Sequence, residues 1–266
     1  MIGLYEIIGR GSSPPLDQSP RSGAPPPGGP GEEPTAGAAN DPAKTPSGWS
    51  TGELRPPPPL PSLPHRWVLE IQKIVFHLAE SAPADVECPT ILFSGVQRKV
   101  GTTTVSYIAA HQLAVEYGNL KVLYIDCRLD EAGTEESGKH GTVIKVGDPI
   151  DPEWFEAGAS TLRRVSIRLG DGRSAAVARW FREFIGSARQ AHRAIIIDAP
   201  PFFAAPETFS LAKTSDGVVL ILRAGISRHP AVNALVSDLD QLGIPVLGTV
   251  LNYRQYPIPQ WLLRFT

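Results

Sequence analysis

The chain has 266 residues, 42% hydrophobic and 8% aromatic, which permits a sizeable buried core. A formal net charge of −2 without any Lys/Arg run excludes a phosphate-tracking nucleic-acid surface, so no nucleic acid is expected as a partner. Two cysteines, Cys88 and Cys127, exclude a disulfide framework and suit a reducing compartment, and no apolar run reaches the ~18 residues of a membrane span.

Residues 1–10 (MIGLYEIIGR) set Ile2, Leu4, Tyr5, Ile7 and Ile8 in a short helical pattern that needs a docking surface to persist. That surface is open between the chain's own domain, a partner and a membrane interface. The segment lacks the basic-then-apolar profile of a signal peptide, so the expected location is cytoplasmic, peripheral at the inner membrane only through a partner. Residues 11–64 read as a linker. Sixteen of the 27 prolines lie between Pro14 and Pro64 among Gly, Ala and Ser, a composition too poor in large apolar groups to offset its ordering entropy. It is expected to be disordered or polyproline-like, with Pro56 to Pro59 a stiff spacer. The folded domain is expected over residues 65–266.

Trp67 to Ala79 predicts a helix with Trp67, Ile71, Ile74, Val75 and Leu78 on one stripe. Alternating strands and helices follow. Thr90 to Ser94 is an apolar strand, Thr102 to Tyr117 a helix, and Lys121 to Asp126 a buried strand ending on a carboxylate. Arg128 to Gly141 reads as a loop, with strands at Thr142 to Val146 and Val165 to Leu169. Ser174 to Gln190 is strongly amphipathic, presenting Val177, Trp180, Phe181, Phe184, Ile185 and Ala188. Ala194 to Asp198 is an apolar strand ending on a second carboxylate, Val218 to Leu222 a further strand, Ala231 to Leu242 a helix and Val246 to Asn252 a last strand. Continuous apolar strands separated by helices predict an α/β fold with a mostly parallel sheet flanked by helices. In such sheets, ligands bind at the carboxyl ends of the strands.

The first strand runs into Ser94-Gly95-Val96-Gln97-Arg98-Lys99-Val100-Gly101-Thr102-Thr103-Thr104. A strand, a glycine-bounded loop and a helix N-terminus together make an anion cradle, because backbone amides and the helix dipole converge there. Against the pattern G-x-x-x-x-G-K-[ST], Gly101 supplies the second glycine and Thr103 the hydroxyl for Mg²⁺, whereas Thr102 stands in the lysine's place and Gly95 one residue too early. Asp126 and Asp198, at the tips of two strands, would stand beside the cradle, one serving a Mg²⁺ shell and the other orienting an attacking group. A helix cap or turn former is the alternative for each.

Four segments in order carry a family resemblance: ILFSGVQRKVGTTTV, KVLYIDCRLD, IIIDAPPFF, and TSDGVVLILRAG with VLGTVLN. The chain from Thr90 to Asn252 resembles the bacterial tyrosine kinases of exopolysaccharide and capsule synthesis, relatives of the MinD/ParA P-loop ATPases. The resemblance implies ATP or ADP with Mg²⁺ as cofactors. It implies that Gly95, Gly101, Thr102, Thr103 and Thr104 line the phosphates, that Asn252 lies near the adenine, and that Thr103, Asp126 and Asp198 serve the metal, the two aspartates also the reaction. Glu207 falls where the family has an Asp after the double proline. As partner it implies the cytoplasmic segment of a membrane polysaccharide co-polymerase, and it admits a homo-oligomer.

Three departures oppose an active kinase. Thr102 removes a cation whose contacts to phosphate are worth ~1.5–3 kcal/mol each, so two amount to ~10²–10⁴ in affinity or rate. Arg128 replaces the second acid of the Asp-x-Asp pattern, and the tail carries only Tyr253 and Tyr256 as acceptors. Arg98, Lys99 or Arg128 could restore positive charge. The expectation is a catalytically impaired regulator in exopolysaccharide biosynthesis, against two alternatives: an active ATP-dependent tyrosine autokinase, and a MinD/ParA-type positioning ATPase.

Overall fold

In the computed structural model, which describes residues 60, 69–76, 86–116, 121–129, 142–155, 161–170 and 174–253, seven strands pair side by side, all parallel. They are β1 (Thr90–Gly95), β2 (Val122–Leu129), β3 (Thr142–Lys145), β4 (Leu162–Leu169), β5 (Ala194–Asp198), β6 (Gly217–Arg223) and β7 (Val246–Asn252), in the spatial order β3-β4-β2-β5-β1-β6-β7. The helices are α1 (69–76), α2 (Thr102–Glu116), α3 (Ser174–Ala191), α4 (Glu207–Ala212) and α5 (His229–Gln241). All described residues belong to one structural unit. Expectations for residues 1–59, for Trp67 and Leu78, for most of the 128–141 segment and for the tail from Arg254 lie outside the described residues.

Because side chains alternate along a strand, the central strands bury both faces. Toward one face, Leu92, Leu123, Ile125, Ile195, Ile197 and Leu220 meet α3 and α5. Toward the other, Ile91, Phe93, Tyr124, Ile196 and Ile221 meet α1, through Ile71, Ile74 and Val75, and α2, through Val105, Ile108 and Ala109. The stripe expected on the first helix is therefore the one that packs. All six residues expected on the inner face of α3 are buried.

Three boundaries differ from the sequence expectation. β2 does not stop at Asp126: it continues through Cys127, Arg128 and Leu129, which pair with Ile167, Arg168 and Leu169 of β4. β4 begins at Leu162, so the Arg163-Arg164 doublet lies in the strand. Helix α4, six residues after Pro206, is too short to show a period and was not expected. The first two differences shape the site.

Phe184 is fully buried between Phe155 (ring centroids 5.0 Å apart) and a stacked Trp180 (5.2 Å). Phe184→Ala is expected to lower unfolding stability by about 3–5 kcal/mol, read as a lower urea midpoint with an unchanged m-value. A loss under about 1 kcal/mol would mean that α3 does not seat this ring as described.

Candidate phosphate-binding site

The loop between β1 and α2 holds its shape through its own packing and through the ends of β6 and β7. Gly95 has no room for a side chain: a Cβ there would meet Val100 Cγ2 at 2.5 Å and the Gln97 carbonyl at 2.9 Å. Gly101 has φ +89°, which favours glycine, and lies against the Asn252 amide. Lys99, also left-handed at φ +61°, offers its carbonyl to Arg223 Nη1 at 3.3 Å. Asn252 Nδ2 donates to the Val100 carbonyl at 2.9 Å, and the Arg223 guanidinium stacks 4.6 Å from the Tyr253 ring centroid. Asn252, expected near an adenine, thus braces the loop. Helix α2 starts cleanly behind it, with Val105 N–H bonded to the Gly101 carbonyl at 3.1 Å. Thr102 is partly exposed, and Thr103 and Thr104 are exposed in the first turn. The exposed first turn leaves amide groups of the kind that receive anions.

Beside this turn the sheet brings two carboxylates together. Asp126 of β2 and Asp198 of β5 are paired in register, both buried, and both project toward α2, two residues beyond Tyr124 and Ile196 on that face. Asp198 accepts a hydrogen bond from the Thr103 side chain and another from Tyr124 Oη at 3.2 Å, whose oxygen lies 3.3 Å from Ser106 Oγ. Burial pushes the Asp198 carboxyl up to about 7; the Thr103 hydrogen bond opposes the rise and the Asp126 charge adds to it. Burial likewise raises the Tyr124 phenol well above its ordinary value, keeping it a donor.

Asp126 is held by two arginines. Arg128 donates to Oδ2 from Nη2 at 2.9 Å and from Nε at 3.1 Å, with Nε 3.3 Å from Oδ1; Arg164 Nη2 donates to Oδ2 at 2.8 Å. Strand geometry explains both. With β2 extended past Asp126, period two returns Arg128 to the face of Asp126. Arg164 pairs in register with Tyr124 and so reaches the same face from β4, its guanidinium 5.8 Å and 5.7 Å from the centroids of Tyr107 and Tyr124.

These residues were expected to hold Mg²⁺, which takes one or two carboxylates together with phosphate and water oxygens. The fit is poor: Asp126 Oδ2 already accepts three N–H groups from two cations, and burial drives Asp198 toward its neutral form. Of the cations proposed to replace the missing lysine, Arg128 is the one engaged with the site's acid. Arg164 escaped the sequence reading, although a charged doublet inside the otherwise apolar-alternating LRRVSIRL was a signal that an acid lay opposite.

No protein-family model and no curated protein matches the sequence. Solved structures do match. The kinase domain of the Escherichia coli tyrosine kinase ETK superimposes with a TM-score of 0.56 at 19% identity, covering 72% of this chain and 78% of its own. The chimerical protein CapA2B2 gives 0.58 at 15% identity (71% and 85%), and the kinase domain of VpsO 0.51 at 22% identity (72% and 99%). The chain has the bacterial tyrosine kinase fold. ParA-family and MinD proteins match more loosely, at TM-scores under 0.5. No helix among the described residues of this kinase-fold domain is long and apolar enough to cross a membrane.

The raised Asp198 value has a stability consequence with a definite sign. The folded chain keeps a proton that the unfolded chain releases, so the stability contributed by this group is full below pH 3.8 and is lost as pH rises toward about 7. Asp198→Asn, neutral throughout, is expected to gain in melting temperature relative to the wild type as pH rises from about 4 to about 7. Parallel melting profiles for the two proteins would contradict a protonated Asp198.

Proposed function

We propose that this chain is a kinase-fold protein that has lost phosphotransfer and regulates a membrane polysaccharide co-polymerase in bacterial exopolysaccharide biosynthesis, as a cytoplasmic protein docking on that partner's cytoplasmic segment. One observation carries the loss of transfer: the β2 acid Asp126 is neutralised by Arg128 and Arg164, in a cradle where Thr102 stands in the lysine's place. In this reading Gly95, Gly101, Thr102, Thr103 and Thr104 line a polyphosphate, and Asn252 orders the loop from behind. Thr103 and Tyr124 fix Asp198 on its remaining side. The place in polysaccharide assembly is supported by the four-segment resemblance together with the fold; the co-polymerase is its natural docking partner on the same grounds.

The autokinase reading keeps one point in its favour. A carboxyl that titrates near neutrality is suited to accept a hydroxyl proton, and Asp198 has that property. Tyr253, exposed beside Gly101, and Tyr256 would be its acceptor tyrosines.

Purified protein in Mg·ATP is expected to form no phosphotyrosine, detected by mass spectrometry of the intact chain. Thr102→Lys is expected to tighten nucleotide binding by ~10²–10⁴ in calorimetry and still to transfer nothing, because Asp126 stays neutralised. ATP-dependent phosphotyrosine in the wild type that disappears in Asp198→Asn would replace the regulatory reading with the autokinase one.

A further inference from the structure

The two arginines on Asp126 change what the cradle can accept, if it is a polyphosphate site as proposed above. In a metal-dependent P-loop, a divalent cation neutralises the phosphate oxygens and is itself drawn in by strand-tip carboxylates. Here that pull is cancelled. Asp126 and Asp198 contribute two formal negative charges at most, and Arg128 and Arg164 contribute two positive ones, so among the described residues the four side chains carry no net negative charge to draw in a metal. A further dication would sit against two guanidinium groups.

The same two groups supply what a metal-free polyphosphate lacks. A guanidinium is a planar fork that remains charged at any ordinary pH and pairs with phosphate oxygens through two parallel N–H donors. Arg128 is suited to turn toward such an anion, since its side chain is 55% exposed while Asp126 is 4% exposed. Arg164, 30% exposed and lying by two tyrosine rings, is the more fixed partner and can keep Asp126 neutralised alone. Its Nε is buried with no hydrogen-bond partner among the described residues, a donor left over for an oxygen. The chain of contacts ties this cluster to the cradle: Thr103, in the first turn of α2, bonds Asp198, which is paired in register with Asp126.

We propose that the cradle binds a nucleoside di- or triphosphate in its metal-free form, with Arg128 and Arg164 in the role of the divalent cation. The test is calorimetric titration of ATP and of ADP into the full chain, once with EDTA and once with saturating Mg²⁺. Binding in EDTA is expected to be at least as tight as with Mg²⁺. Arg128→Gln, an exposed position that folding tolerates, is expected to weaken binding in EDTA about ten- to hundredfold and to leave the melting temperature of the free protein nearly unchanged. In Arg128→Asp, which restores a second acid, added Mg²⁺ is expected to tighten binding that EDTA abolishes. The proposal is overturned if Mg²⁺ tightens wild-type binding tenfold or more, if neither nucleotide binds in EDTA, or if Arg128→Gln binds like the wild type. Metal-dependent binding without phosphotyrosine would sink this inference and leave the regulatory reading standing, so the two fail separately.

Discussion

The lateral pairing of β2 with β5 sets two carboxylates on one face at neighbouring positions, and the rest of the site responds to that charge. Adjacent strands lie about 4.8 Å apart, a spacing at which two like charges repel by about 3 kcal/mol at an effective dielectric of about 20. The observed register places the two acids directly side by side, so the repulsion is built into the pairing. Two different remedies are in place. Asp126 receives two guanidinium groups, whereas at Asp198 two hydroxyl donors stabilise the charge while burial and the neighbouring acid push the carboxyl up to about 7. The charge is thus reduced at each acid by different means. A site built to attract a dication would leave both exposed to it.

The cradle keeps its form by contacts that do not involve a phosphate-gripping lysine. Asn252 and Arg223 hold the carbonyls of Val100 and Lys99 from the adjoining strand ends, and the packing at Gly95 and Gly101 leaves the loop little freedom. Shape and charge are therefore supplied by separate residues.

The layered fold could be read from local pattern because the central strands are continuous apolar runs and α3 presents one unbroken aromatic face. All seven strands were expected at close to their observed places. What local pattern could not convey was how far two of them extend. Cys127-Arg128-Leu129 looks like the start of a polar loop in isolation, and Arg163-Arg164 looks like solvent-facing charge. Only the pairing of β2 with β4, residue against residue from Val122 to Leu129, makes both segments strand and turns Arg128 and Arg164 toward Asp126. Register between strands 40 residues apart in sequence is a tertiary property, and it decided the chemistry of the site.

Arg128 shows how the same residue reverses its meaning once its neighbours are known. In the sequence it stands as a candidate to replace the lost lysine, a cation looking for phosphate. In the structure it is paired with the buried Asp126, yet its own side chain is half-exposed. Arg164 holds the same oxygen from a more enclosed place, so the departure of Arg128 would not strand an uncompensated buried charge. The pair thus divides the work between a fixed counter-charge and a movable one. A single arginine could not serve both ends, because leaving the acid for a phosphate would restore the repulsion between Asp126 and Asp198 that it had relieved.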